Sequence, residues 1–335
     1  MRAVAKAAGV SLSTVSLVVN GKPGIGEETR ARVLHVMNEL GYVPDRRRNG
    51  ISVPKVFGLL MESLTIPSSD EGFYQQVVAG IEETAYRLGH HLLLHLYRPN
   101  VDPLNSIREL MGRDVDGMII ANDGDITEEV ICKIAAAGCP VVLVENYLED
   151  DIHSVTADNF TAGRLVTEHL IELGHRRIGT LAGPDKYSSL HHRLRGHLVA
   201  LVEHGLPIDP QLQPPPVSGR PHKGYLQMQQ LLALPNPPTA VFAVSDKSAF
   251  GAMEAIKDAG LRIPDDISIV GIDNVRSSAY TFPPLTTYNV PKHRMGEMTV
   301  MILHNLVTSP DAYPPARTVL LGHLVVRESC GPPKK

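Results

Sequence analysis

At 335 residues the chain is longer than one ordinary hydrophobic core organises, so two or three folded units are expected. Its 43% hydrophobic and 20% charged residues are those of a soluble globular protein. No run of about 18 uncharged apolar residues is present to span a bilayer, and no signal-peptide core stands at the N-terminus. Cys132, Cys139 and Cys330 are odd in number and lack CxxC spacing, which argues against a disulfide framework or a zinc site and fits a reducing cytoplasm. The net charge of −4 is unevenly spread: residues 1–55 carry nine Lys/Arg against four acids, a surplus of five, which leaves the remainder nine negative charges in excess. A small basic head on an acidic body points to a polyanion partner for the head alone.

In chain order, Val4–Gly9 (VAKAAG) is Ala-rich and helix-favouring, and Gly9 breaks it. Ser11 is placed to cap a second helix, in which Val15, Val18 and Val19 recur at three- and four-residue spacing. Two short helices on a tight Gly-Val turn are the sequence form of a helix-turn-helix, whose second helix can enter the DNA major groove. A Gly-rich loop, Asn20–Gly26, follows; its GxxGxG spacing only imitates a phosphate loop, because it comes after a helix and not a strand. Glu27–Leu40 is a third helix, with an apolar stripe at Val33, Val36, Met37 and Leu40 and two acids at its N-terminal end.

The run AVAKAAGVSLSTVSLVVNGK…GEETRARVLHVMNELGYVP resembles the DNA-binding head of the lactose-repressor (LacI/GalR) family of transcription regulators over about 44 residues. The resemblance implies that Leu12, Ser13 and Leu17 face base edges, that Thr14 and Ser16 bond phosphates, and that Ser11 and Asn20, at the two ends of the motif, join the DNA-contacting set. Leu17 stands where many family members carry the guanine-reading Arg; a Leu can only pack on a thymine methyl. The family pattern also has several residues ahead of Met1, among them a Thr that caps the first helix. Residues 45–55 make the linker. The family's hinge helix wedges a Leu into the minor groove; here Ile51 is nearest that Leu, while Gly50 and Pro54 disfavour a helix. Arg46, Arg47 and Arg48 would instead grip phosphates or a narrow minor groove, and a flexible basic tether is the alternative.

From Val56 apolar strands alternate with amphipathic helices. Strands are expected at Val56–Met61, Leu92–Leu96, Asp116–Ala121, Pro140–Val144, Ile178–Leu181, Ala240–Ala243 and Ser268–Ile272. Helices are expected at Tyr74–Leu88, Ile107–Met111, Ile126–Ala137, Ala162–Leu173, Leu194–His204, Gly224–Leu232, Ala249–Ala259 and Arg294–Asn305, with a Pro-rich loop over Pro207–Pro221. Continuous apolar strands imply parallel sheets covered on both faces. The expected fold is therefore a small all-α head (1–44), a linker (45–55) and an α/β core (56–335) of two doubly wound parallel-sheet subdomains with a cleft at the strand ends. The first subdomain is assigned about 56–174 with 290–310, the second about 175–289 with 316–330. The motifs LGHRRIGTLAGP, RLRGHLVAL, PTAVFAVSDKSAFGAMEAIKDAGLRIPDDISIVGIDN, FPPLTT and VVRES resemble the family's effector core, itself similar to periplasmic sugar-binding proteins.

By position in that resemblance, Asp273 and Arg193 match ligand-binding residues, and Phe73 and Tyr74 match ring-stacking positions. Asn122 and Asp123, at the end of the third strand, Thr161 (with Asp158) near the subdomain crossing, and Ser245, where members often have Asn, complete the candidate effector set. The alternatives are an Arg193–Asp273 bridge that merely latches the cleft, and core packing for the two rings. Fifteen His show no HExxH or Cys/His spacing, so neither a metal nor another cofactor is expected, and no nucleophile–base–acid set can be placed. The reading that results is a cytoplasmic, nucleoid-associated transcription factor, a repressor acting as a homodimer or tetramer. It binds double-stranded operator DNA under control of a sugar-like effector, and no membrane is involved. A secreted solute-binding protein would need a signal peptide and no basic head; a sugar enzyme would need a catalytic base.

The charge surplus makes a direct prediction. A fragment of residues 1–55 should bind duplex DNA weakly, with an affinity that falls steeply between low and physiological salt as counterions are released. A salt titration by fluorescence anisotropy checks this; an affinity indifferent to salt is the contrary result.

Overall fold

The computed structural model describes residues 2–19, 25–39, 55–62, 72–97, 115–121, 126–146, 148, 152–184, 187–216, 223–309 and 314–334. The chain divides into two compact units, 1–54 and 55–335.

The first unit is three helices, α1 (Arg2–Ala8), α2 (Leu12–Val19) and α3 (Glu27–Glu39). Val4, Ala5 and Ala8 from α1, Val15 and Val18 from α2, and Val33, Val36 and Met37 from α3 close a small core. Gly9 turns the chain at φ 64°, a conformation that costs glycine little.

The second unit holds two sheets. Lobe 1 is built from β1 (Val56–Glu62), β2 (His91–Tyr97), β3 (Gly117–Ala121), β4 (Val141–Val144), β5 (His153–Ala157) and β10 (Arg317–Leu320), in the order β10-β5-β4-β3-β1-β2, all parallel. Lobe 2 is built from β6 (Ile178–Leu181), β7 (Ala240–Ala243), β8 (Ser268–Asp273), β9 (Thr286–Asn289) and β11 (His323–Val325), in the order β11-β9-β8-β7-β6, parallel except for β11 against β9. Alternate strand residues feed the two faces. In β3, Ile119 packs with α4 (Phe73–Arg87) and α10 (Lys292–Thr308), whereas Met118 and Ile120 pack with α5 (Glu128–Ala136). Lobe 2 is covered likewise by α6 (Asn159–Glu172) and α7 (Ser188–Glu203) on one face and by α8 (Lys223–Leu232) and α9 (Asp246–Asp258) on the other. The doubly wound, parallel-sheet expectation describes both lobes.

Three details differ from the sequence reading. The helix Asn159–Glu172 packs on α7 and the second sheet, so the chain leaves lobe 1 after β5 and not at residue 174. Residues 317–320, assigned to the second subdomain, pair in parallel with β5 at the edge of the first sheet; only the strand from His323 belongs to lobe 2. Strands β5, β9, β10 and β11 differ from the expected set because HSVTA, TTYN, RTVL and HLV are short and none is a continuous apolar run of four residues. The helix expected at 107–111 lies outside the described residues. The chain thus crosses between lobes three times, after β5, after β9 and after β10.

Paired glycines set how closely the covering helices meet. A Cβ on Gly163 of α6 would stand 1.9 Å from the Arg193 carbonyl oxygen of α7, and one on Gly196 of α7 2.0 Å from that of Phe160. Gly80 and Gly296 do the same for α4 and α10, at 2.1 Å each, and Gly224 and Gly251 for α8 and α9, at 2.0 and 2.8 Å.

His197 of α7 is fully buried, stacked on Phe242 at a 4.4 Å centroid distance and 3° between planes, and hydrogen-bonded to the Thr167 and Thr180 hydroxyls. Burial pushes its pKa down to about 3. The unfolded chain, with His near 6.5, therefore binds the extra proton first. Stability from this group is complete above about pH 6.5 and is lost on acidification by about 1.4 kcal/mol per pH unit down to its folded pKa. Urea unfolding of wild type and His197→Gln between pH 6 and 4.5 should show a slope shallower by about one proton in the variant.

Candidate functional site

In the head, Ser11 caps α2: the Thr14 amide donates to its Oγ at 3.0 Å, and the Ser13 and Thr14 hydroxyls lie 2.7 and 2.8 Å from it. One N-terminal turn therefore gathers Ser11, Leu12, Ser13 and Thr14. Leu12 is 46% exposed although it is apolar, Ser11 and Ser13 are exposed, and Leu17 and Thr14 are half-buried. Val15 and Val18 turn inward, so the polar face and Leu12 turn outward. Ser16 lies within α2. Asn20, Arg46, Arg47, Arg48 and Ile51 lie outside the described residues.

In the core, side chains from both lobes converge at the carboxyl ends of the strands. Arg193, in the second turn of α7, is 3% exposed. Its Nε donates to Asn159 Oδ1 at 2.7 Å and its Nη1 to the Val244 carbonyl at 2.9 Å. Nη1 also lies 2.8 Å from Asp273 Oδ1, and Nη2 lies 3.9 Å from Glu145 Oε1. The Asp273 contact is a close, buried ion pair in which no N–H of Arg193 is aligned on Oδ1. Asp273 ends β8 at φ 130° and Asn274 follows at φ 50°, both in the left-handed region that side chains rarely adopt.

Glu145 comes from lobe 1, one residue past β4, at φ 61° and 7% exposure. Its carboxylate accepts from the Asn159 amide at 3.1 Å and the Ala157 backbone N–H at 3.2 Å. Burial raises its pKa; Arg193 and these two donors oppose the rise. Asp246, the first residue of α9, is fully buried and accepts from the Thr287 hydroxyl at 2.5 Å and the Val275 amide at 2.9 Å. Burial, then the neighbouring Asp273 charge, push it up to about 7. Lys292 opens α10 and donates to the backbone carbonyls of Asp273, Asn274 and Val290. Burial lowers its pKa.

The other expected residues are placed differently. Ser245 is the N-cap of α9, its Oγ accepting from the Ser248 amide at 3.3 Å. The Thr161 backbone N–H donates to Asp158 Oδ1, which caps α6. Tyr74 is buried in the lobe 1 core, and Phe73 meets it edge-on at 5.3 Å. Asn122 and Asp123 lie outside the described residues. Among the described residues no cluster of three His, Cys, Asp or Glu could hold a metal ion.

Residues 1–45 match the family "Bacterial regulatory proteins, lacI family", and residues 167–330 match a "Periplasmic binding protein-like domain". The HTH-type transcriptional repressor PurR of Pasteurella multocida is 33% identical over 335 residues, covering 97% of each chain. The chain belongs to the lacI family. Its solved relatives include a transcriptional regulator CelR–cellobiose complex (32% identity, TM-score 0.74, 97% of this chain and 98% of that one) and the lac repressor dimer bound to operator and the anti-inducer ONPF (29%, TM-score 0.74, 98% of each). As a lacI-family regulator it couples a DNA-binding helix-turn-helix to a ligand-binding core, and its relatives named here are regulators and not enzymes.

Sequence reading missed Glu145, Asn159 and Lys292. Glu145 directly follows the expected strand Pro140–Val144, so the rule that found Asp273, a polar residue just past a strand end, could have found it. Asn159 follows a strand that was not read, and Lys292 carried no signal.

Arg193 and Asn159 ride on the two helices that touch through Gly163 and Gly196. Gly163→Ala should force these apart at an overpacking cost of about 1–3 kcal/mol. Chemical denaturation should show that loss, whereas Gly138→Ala, with open space around its Cβ but φ 81°, should lose only backbone strain.

Proposed function

We propose that the chain is a repressor whose operator affinity is set by a neutral, hydroxyl-rich effector, a sugar or sugar derivative, bound between the lobes at Arg193 and Asp273. The observation that carries this reading is the buried Asp273 carboxylate at the strand ends, paired with Arg193 at 2.8 Å and with acceptor capacity left for a ligand donor. A carboxylate has several acceptor sites, and a sugar hydroxyl is a donor of the right reach for one that the ion pair leaves open. The cations beside it are committed: Arg193 serves Asn159, Val244, Asp273 and Glu145, and Lys292 serves three carbonyls. That favours hydroxyls over a phosphorylated ligand, which would need a cation of its own. The likeness to a cellobiose-bound regulator supports the sugar assignment.

On the DNA side, Leu12, Ser13 and Leu17 read base edges in this proposal, with Ser11, Thr14, Ser16 and Asn20 on phosphates and Arg46–Arg48 gripping the backbone from the linker. Two heads are needed to read half-sites about one DNA turn, ~34–36 Å, apart. The acting form is therefore a homodimer. Tyr280 at 76% and Phe282 at 92% exposure are apolar rings for a second copy to cover. The setting of this function is the cytoplasm, with the protein on the nucleoid.

The test is a thermal-shift screen of neutral sugars beside their phosphates. A sugar at about 100 times its Kd should stabilise the core by about 2.7 kcal/mol. Asp273→Asn should weaken that effect and Arg193→Met should remove it. Titrating the sugar with and without operator should change its affinity by the factor by which the sugar changes operator affinity, about 5–150-fold for typical coupling. If only phosphorylated ligands stabilise the protein, or if operator leaves sugar affinity unchanged, the reading fails.

A further inference from the structure

Lys292 is a full-length charged side chain at 1% exposure in the first turn of α10. The position is doubly unfavourable. The ammonium is stripped of water, and it sits at the end of a helix whose free N–H groups already make the electrostatics positive. Packing alone would be served by an apolar residue of the same length. What the charge does is visible in its hydrogen bonds: it donates to the carbonyl oxygens of Asp273, Val290 (3.1 Å) and Asn274 (3.4 Å), all main chain.

Two of these acceptors belong to the corner after β8, where consecutive non-glycine residues sit at φ 130° and φ 50°. Such a corner persists only if its surroundings hold it. Most of its ties come from lobe 2 itself. The Asn274 amide donates to Thr287 Oγ1 (3.2 Å), its side chain donates to Asn289 Oδ1 (3.0 Å) and accepts from Arg327 Nη2 (2.6 Å), and the Val275 amide donates to Asp246 Oδ2 (2.9 Å). Lys292 is different because α10 packs on α4, β3, β4 and β5, which makes it a lobe 1 helix. It begins two residues after Val290, where the chain passes from lobe 2 to lobe 1.

We propose that Lys292 is a positioning residue of the effector site: from the lobe 1 helix it holds the Asp273–Asn274 corner of lobe 2, so that the aim of the Asp273 carboxylate follows the relative setting of the lobes. The inference rests on reading the cleft as the effector site. It adds a route by which lobe movement and ligand grip are one event: rotation about the crossover changes the Lys292 bonds, and those bonds fix the backbone that carries the ligand acceptor.

Hydrogen exchange by mass spectrometry on the full chain tests it without a ligand. Lys292→Met keeps the length and removes the donors, whereas Lys292→Gln keeps two N–H donors and removes the charge. The Asn274 and Val275 amides should exchange about tenfold faster in the Met variant, while α4 and α5 exchange as in wild type, and the Gln variant should return within about threefold of wild type. Lys292→Leu serves in place of Met if the latter does not fold. Three results would overturn the proposal: unchanged exchange at 274–275, a uniform acceleration over both lobes, or a Gln variant no better than Met. Calorimetry with cellobiose and ribose gives the second readout. Affinity should fall about tenfold or more in Met, with Gln between Met and wild type. Wild type that binds neither sugar counts against the sugar reading of the cleft, and the exchange result still decides the role of Lys292.

Discussion

A guanidinium buried to 3% exposure has to be paid for by its surroundings, and the core is arranged to do so. Removing Arg193 from water costs several kcal/mol before any partner is found, of the order expected for a buried ion. Its partners come from four separate places: the first residue of α6, the chain after β7, the end of β8 and, from the other lobe, the residue after β4. None of these is near Arg193 in sequence, so the site exists only when both sheets and their crossovers are in place. The Glu145 contact at 3.9 Å is the loosest and the only one of the four that reaches into lobe 1. In the effector-site reading, a ligand in the cleft therefore competes with, or strengthens, an interaction between lobes.

The paired glycines give that competition something rigid to act on. Helices that meet backbone to backbone cannot slide without collision, because each carbonyl occupies the space a Cβ would need. α6 with α7, α8 with α9 and α4 with α10 thus behave as locked pairs, two in lobe 2 and one in lobe 1. The lobes are joined by the three crossovers and by a buried apolar cluster that runs from Phe57 and Val144 to Phe242 and Val270. Two stiff bodies joined by crossovers have the construction of a hinge, and hinge motion belongs to the proposed effector reading.

Much of this was legible in the sequence, and for definite reasons. GMIIA and VVLV are buried along their whole length, so their continuous apolar runs announce parallel strands. The Ala-rich helix, Gly9 and Ser11 announce the turn and cap of the head. Arg193 and Asp273 were legible through motif position, and they do meet. The boundaries between lobes were not, because a crossover is a property of sheet order. Nothing in NFTAGRLVTEHLIE says that this helix covers the following sheet and not the preceding one. Likewise, β9 and β10 are four-residue strands with polar residues, held by neighbours that only the tertiary fold supplies. Lys292 defied the usual expectation that a lysine lies outside.

The balance of charge in the cleft bears on how an effector could switch the protein. Glu145, Asp246 and Asp273 face Arg193 and Lys292, and burial with the neighbouring Asp273 charge raises the pKa of Asp246 to about 7. Burial thus works against charge on Glu145, Asp246 and Lys292 alike, and the ion pairs and hydrogen bonds of the cluster oppose it. A ligand shifts the lobes only through contacts that differ between their two settings. In the effector-site reading proposed above, a hydrogen bond from a ligand hydroxyl to the Asp273 carboxylate, about 1.5–3 kcal/mol for a charged acceptor, is a contact of that kind when only one setting aims the carboxylate at the ligand. By population-shift arithmetic that difference alone moves an equilibrium by roughly ten- to a hundredfold, inside the range typical of allosteric coupling. Under that reading, the switch depends on the strained corner being held firmly enough that the new bond moves the lobe and not the side chain.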